Sequence, residues 1–381
     1  MRPASEVERR RLNDTFAALC AIPSPFGRER AMAERVAQEL RALGVEVEED
    51  GAAAESGAEC GNLLARIGPE PPRAERSVLL CAHLDTVPHE GVVEPVLVDG
   101  GWESAGDTIL GADNKAAVAV LLALAHRVAV EGAPVGVELL FTVSEENALA
   151  GAKAFDVSRL RSELGYVFDH ASPIGEIVTA SPSYARIEAE FLGQAAHAGL
   201  RPEDGRSAIA AAARAIAGMR LGRLDAETTA NVGNIAGGAP GTNIVPERCR
   251  LLAEARSLSP ETLDAVVAEM IDRCQDAAND PAVECDVDVS VERLFEGYRQ
   301  RPSAPQVVAA EAALRACGYE PTRIATGGGS DANAFEAAGF PCTNLANGTE
   351  RNHQPDERVS QACLEGMLDV TFALLDELGA G

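Results

Sequence analysis

The residues that can do chemistry stand where apolar runs end. The run 78–82, Val-Leu-Leu-Cys-Ala, reads as a buried strand and leads into His83 and Asp85. Two positions apart on an extended segment, their side chains share a face, so Asp85 can accept the proton of one imidazole nitrogen while the other binds a cation. Asp113 stands at the mouth of an Ala-, Val- and Leu-rich helix over 113–130, at the positive end of its dipole. It can serve there as a ligand or as a plain N-cap. Glu145 and Glu146 close the strand-like run 135–143, Asp169 ends the run 165–169, and His353 lies in the polar loop 351–357. An acidic turn and a loop histidine are the bland alternatives for the last of these.

Ligand sites of open α/β sheets gather at the carboxyl ends of strands. Two histidines with several carboxylates suit zinc, with cobalt or manganese as related choices. Five ligands exceed the need of one catalytic zinc, which keeps a position open. If Asp113 bridges, the set divides evenly, His83 and Asp169 on one ion, Glu146 and His353 on the other. Such a pair can clamp a hydroxide and polarise a carbonyl, and Glu145 remains to take the proton from the water.

The elements that must position these residues alternate between strand and helix over 1–180. The expected fold class is therefore α/β, a mainly parallel sheet covered on both faces. From Ser181 the pattern changes to strand-helix-strand-strand-helix-strand. Its best-marked helix has Ser259 as N-cap, Pro260 in the first turn, and Leu263, Val266, Val267, Met270, Ile271 and Cys274 on one face. That order predicts a ferredoxin-like α+β domain at 181–294 inserted between catalytic segments 1–180 and 295–381.

The 381 residues, 46% hydrophobic and 24% charged, suit a globular enzyme, and the net charge of −26 argues against nucleic acid or an anionic membrane as a partner. Nine scattered cysteines without a Cys-x-x-Cys pair, and an N-terminus lacking an apolar signal core, predict a cytoplasmic protein with reduced thiols.

Several runs carry a family resemblance: Ala-His-Leu-Asp-Thr-Val-Pro at 82–88, Gly-Ala-Asp-Asn-Lys at 111–115, Ser-Glu-Glu at 144–146, Gly-Gln-Ala-Ala-His-Ala-Gly at 193–199, Thr-Asn-Ile-Val-Pro at 242–246, Ala-Glu-Ala-Arg-Ser at 253–257, Gly-Gly-Gly-Ser-Asp-Ala-Asn at 327–333, and His353. Together they resemble the dinuclear zinc exopeptidases, which include glutamate carboxypeptidase, aminoacylase and peptidase T, with peptidase T-like proteins the nearest in appearance. The resemblance implies a zinc-exopeptidase catalytic domain with an inserted lid and dimerisation domain, two divalent ions per chain, and hydrolysis of an amide bond in a short peptide. An N-acyl amino acid substrate is one alternative, and a non-catalytic relative that keeps the fold as a binding module is another. It assigns His83, Asp113, Glu146, Asp169 and His353 as metal ligands, Asp85 as the residue that orients His83, and Glu145 as general base. It adds His197 for oxyanion stabilisation, Asn243 and Arg256 for substrate binding, Gly328 for the pocket lining, and a homodimer formed through the inserted domain. Three positions depart from the usual pattern: Asn114 where an acidic residue is common, His170 where small residues are common, and Asp169 where many members carry glutamate.

Overall fold

Four apolar strands, Gly136–Thr142, Ser77–His83, Gly165–His170 and Cys342–Ala346, lie side by side and parallel in that spatial order in the computed structural model. The structure describes residues 1–69 and 76–380. Strand Gly136–Thr142 is buried along its whole length, as a strand covered on both faces must be. Antiparallel strands extend the sheet on both sides, with Leu63–Ile67 and Val47–Glu49 at one edge and Glu176–Ser181 at the other.

Helices Glu6–Cys20, Ala112–Glu131 and Gln361–Ala380 share one apolar core with this sheet, as the Ala-, Val- and Leu-rich composition of the second requires. Arg127 ties them together. Its guanidinium is buried, donates to both Glu8 carboxylate oxygens at 2.7 and 2.6 Å, and stacks 3.7 Å from the centroid of Phe372. A fork of charge-assisted bonds plus an aromatic face compensates for removing the cation from water.

The chain separates into two compact units. One comprises Met1–Thr179, Gln300–Ala325 and Ser330–Gly381; the other comprises Ala180–Arg299 and Thr326–Gly329. The second unit thus runs five residues past position 294 and gathers a four-residue segment that the sequence pattern had assigned to the larger unit. Its strands pair antiparallel in the order Thr228–Gly237, Arg248–Ser257, Ser183–Leu192, Asp286–Phe295, the ferredoxin-like arrangement, with a two-residue strand Gly222–Arg223 beside the first. Helices Ala208–Gly218 and Pro260–Ala278 cover one face. The hydroxyls of Ser207 and Ser259 cap them, accepting from Ala210 N and Thr262 N. The other face carries the cross-strand ion pairs Arg186–Glu292, Arg248–Glu190 and Arg250–Glu188. The fold class is the one expected, an α/β catalytic unit with a ferredoxin-like α+β unit inserted into it.

Candidate active site

The four parallel strands end on the same side of the sheet, and each delivers part of a cluster. Strand Ser77–His83 ends on His83, Gly136–Thr142 runs into Ser144, Glu145 and Glu146, and Gly165–His170 carries Asp169 near its end. After Cys342–Ala346 the chain makes a small ribbon, Thr349–Glu350 paired with Arg358–Ser360, whose loop holds His353 at a positive φ of 66°. Asp113 enters from the start of helix Ala112–Glu131. Asp113 and Asn114 have non-helical backbone angles, so the helix kinks there and Asp113 is not a plain N-cap.

The two oxygens of Asp113 face different histidines. Oδ1 lies 3.3 Å from His83 Nε2, and Oδ2 lies 3.4 Å from His353 Nε2. On one side Asp169 Oδ1 approaches His83 Nε2 at 3.5 Å; on the other Glu146 Oε1 approaches His353 Nε2 at 2.8 Å. Among the described residues, ligand atoms within 4.8 Å of one another form three groups: His83, Asp113 and Asp169; Asp113, Glu146 and His353; His83, Glu145 and Glu146. All five expected ligands are therefore brought together, with Asp113 shared. His170 belongs to none of these groups, and its Nε2 pairs with Glu176 at 2.9 Å.

Five buried or nearly buried carboxylates (Asp85, Asp113, Glu145, Glu146, Asp169) surround two imidazoles, so the site carries an excess of negative charge that cations would neutralise. The titration behaviour points the same way. Hydrogen bonds that His353 donates to Asp113 and Glu146 push it up to about 10. Burial works against a charge on His83, yet Asp169, Asp113 and Asp85 together hold it well above its usual value. Burial pushes Glu145 and Asp169 well above the usual carboxylate range, and repulsion within the cluster adds to the effect. Asp113 moves down, because hydrogen bonds from both histidines outweigh its burial. A donor set of two imidazoles and three carboxylates at these separations fits a pair of divalent cations.

Asp85 reaches His83, as the His-x-Asp spacing suggests, though not through strand geometry. The strand ends at His83, so the period of two does not reach Asp85. His83 Nδ1 lies 3.0 Å from the main-chain carbonyl of Asp85 and 3.4 Å from its Oδ1. The carboxylate also accepts the amides of Glu145 and Glu146, each at 3.0 Å. One residue thus fixes His83 through its carbonyl and the two glutamates through its side chain. A second buried acid, Glu29, accepts from the amide and hydroxyl of Ser144, a residue held at a φ of 51°. Asp331 is fully buried and accepts from the Thr142 hydroxyl at 2.5 Å. Glu357 accepts three amides around Asp113. The sequence patterns assign none of these last three a role.

In the inserted unit His197 is exposed, and its Nδ1 accepts the amides of Gly199 and Leu200 at 3.2 Å each. The ring proton must therefore sit on Nε2, which makes an outward-facing donor. Asn243 lies in an exposed loop ahead of strand Arg248–Ser257, and its carbonyl accepts from Ala198. Arg256 donates to both oxygens of Glu254 at 3.2 Å and to Gly327 O at 3.3 Å, with Tyr184 stacked 4.2 Å from the guanidinium. Gly328 donates its amide to the Thr326 hydroxyl.

Comparison with known proteins agrees with this architecture. Residues 179–281 match the peptidase dimerisation domain of the M20 type, and residues 62–172 match peptidase family M28. The chain is 35% identical to the protein YqjE of Bacillus subtilis, covering 97% of this chain and 99% of that one. Among solved structures, aminopeptidase PepT from Bacillus cereus is 35% identical at a TM-score of 0.85, with 98% of this chain and 99% of that one covered. A tripeptidase from Staphylococcus aureus is 32% identical at a TM-score of 0.90, with the same coverage. The chain belongs to the M20 family of metal-dependent exopeptidases, as a peptidase T-like member. Among the described residues, no helix is long and apolar enough to cross a membrane.

Proposed function

We propose that this protein is a cytoplasmic aminopeptidase that releases the N-terminal residue of short peptides, tripeptides above all, with two divalent ions held by His83, Asp113, Glu146, Asp169 and His353. The observation that carries the reading is Asp113, whose two carboxylate oxygens face two different histidines at 3.3 and 3.4 Å. Zinc is the ion that two imidazoles combined with carboxylates suit, with cobalt and manganese as substitutes. When bound, such ions polarise a scissile carbonyl and make water a better nucleophile at neutral pH.

The chain's own residues supply the proton chemistry. Glu145 is buried beside the ligands, and Asp85 holds its main-chain amide, which fixes the point from which the side chain leaves the backbone. It takes a proton from water as the water oxygen attacks the carbonyl carbon. It then passes that proton to the leaving nitrogen as the carbon–nitrogen bond breaks. The N–H that His197 presents from Nε2 suits an oxyanion, and the Arg256 guanidinium with Asn243 suits the substrate's carboxylate. Glu254 and Tyr184 hold Arg256 in one orientation ready for this. Gly328 lines the peptide's path. The inserted unit is proposed to pair two chains into a homodimer, in keeping with its match to a peptidase dimerisation domain.

Substrate profiling tests the reading. Metal-stripped protein, reloaded with zinc, cobalt or manganese, is expected to cleave tripeptides with a kcat/KM at least about tenfold above that for N-acyl amino acids, a margin of roughly 1.4 kcal/mol. Preference for N-acyl amino acids would assign the site to a deacylase instead.

A further inference from the structure

Glu357 lies four residues beyond His353, is 1% exposed, and belongs to no ligand group. Its Oε2 accepts the amides of Leu110 and Gly111 at 2.9 and 2.7 Å, and its Oε1 accepts the amide of Asp113 at 2.8 Å. All three amides belong to the short segment that leads into Asp113. That segment needs an outside partner: Gly111 has a φ of +74°, and Asp113 and Asn114 depart from helical angles, so the helix's own hydrogen-bond ladder does not define where Asp113 sits. The loop that carries Glu357 also reaches the Asp113 side chain, because Asn352 Nδ2 donates to Asp113 Oδ2 at 2.8 Å. The loop itself is closed by the Glu357 amide, which donates to Gln354 O at 3.0 Å.

We propose that Glu357 is a positioning residue of the metal pair, joining the Asp113 segment to the His353 loop so that the ion shared by Asp113, Glu146 and His353 finds its ligands already assembled. The inference rests on the reading of Asp113 and His353 as ligands. It goes further by predicting an asymmetry. The ion shared by His83, Asp113 and Asp169 draws its other ligands from strand ends that Glu357 does not touch. Its site depends on Glu357 only through Asp113. The ion that needs His353 depends on it twice, through Asp113 and through the loop.

Glu357→Gln keeps the shape of the side chain but replaces one acceptor oxygen with a donor, which cannot accept the Asp113 amide and the Leu110–Gly111 pair together. Titration of metal-stripped protein with cobalt(II), followed by visible absorption, reads the two binding events without any turnover. The expected result is two unequal losses, the larger about 10–100-fold, the range found for partners that orient ligands. Circular dichroism should be unchanged. Glu357→Asp, shorter by one methylene and still anionic, should fall between the two. A merely structural clamp would lower the unfolding temperature and leave both steps at wild-type affinity, and that outcome overturns the proposal. Equal weakening of both steps also overturns it. Wild-type protein that takes up no pair of ions would instead overturn the ligand assignment.

Discussion

Glu145→Gln is expected to lower kcat by about 10²–10⁴-fold, the usual contribution of a positioned general base, while both metal ions and the KM for tripeptides stay near wild type. The amide side chain matches the carboxylate in size, so the packing of this buried residue survives. What it cannot do is take a proton from water. Its main chain is held independently of its side chain, since Asp85 accepts the amides of both Glu145 and Glu146 at 3.0 Å. The Glu146 ligand should therefore not move when residue 145 is changed. Kinetics beside metal analysis of the same preparation separate the possibilities. A variant that keeps more than a tenth of its turnover would assign the proton transfer elsewhere, and one that loses metal would make Glu145 a ligand.

Asp113→Ala is expected to empty both metal positions rather than one. Each of its oxygens faces a different histidine, so one truncation removes a donor from each side of the pair. It also leaves the two imidazoles without the carboxylate that most clearly links them. Activity should fall by about 10³-fold or more, on the order of 4 kcal/mol, and metal content should drop from two ions per chain to fewer than one. His353→Ala supplies the contrast. It touches only one side, so one ion should remain. Equal losses in the two variants would contradict a shared Asp113.

Much of this site can be read from sequence because most of its proposed ligands sit at the ends of apolar strands, where the run of hydrophobic residues marks the strand and the break marks its mouth. His83, Glu146 and Asp169 follow directly from that rule. The helix capped by Ser259 is legible for a similar reason, since cap, first-turn proline and apolar face are all local signals. Glu29, Asp331 and Glu357 leave no such signal. Glu357 meets the amide of Gly111, 246 positions away in sequence, and main-chain amides carry no side-chain signature. Only proximity in the folded chain reveals the pairing. An acidic residue in the His353 loop was visible, but nothing local distinguishes it from a solvated one. Asp85 is legible by a looser route: the period-two argument assumes an extended strand that stops at His83, yet the Asp85 carboxylate still comes 3.4 Å from His83 Nδ1. His197 and Arg256 would pass for an exposed histidine and a strand ion pair. Their hydrogen bonds are compatible with both descriptions, and the family motif alone singles them out.

Anomalous diffraction from crystals grown with zinc is the most direct trial of the two-ion site. Two peaks about 3.5–4 Å apart, with the Asp113 carboxylate between them, His83 and Asp169 on one side and Glu146 and His353 on the other, are the expected result. A single peak, or a pair that leaves Asp113 uncoordinated, would contradict it.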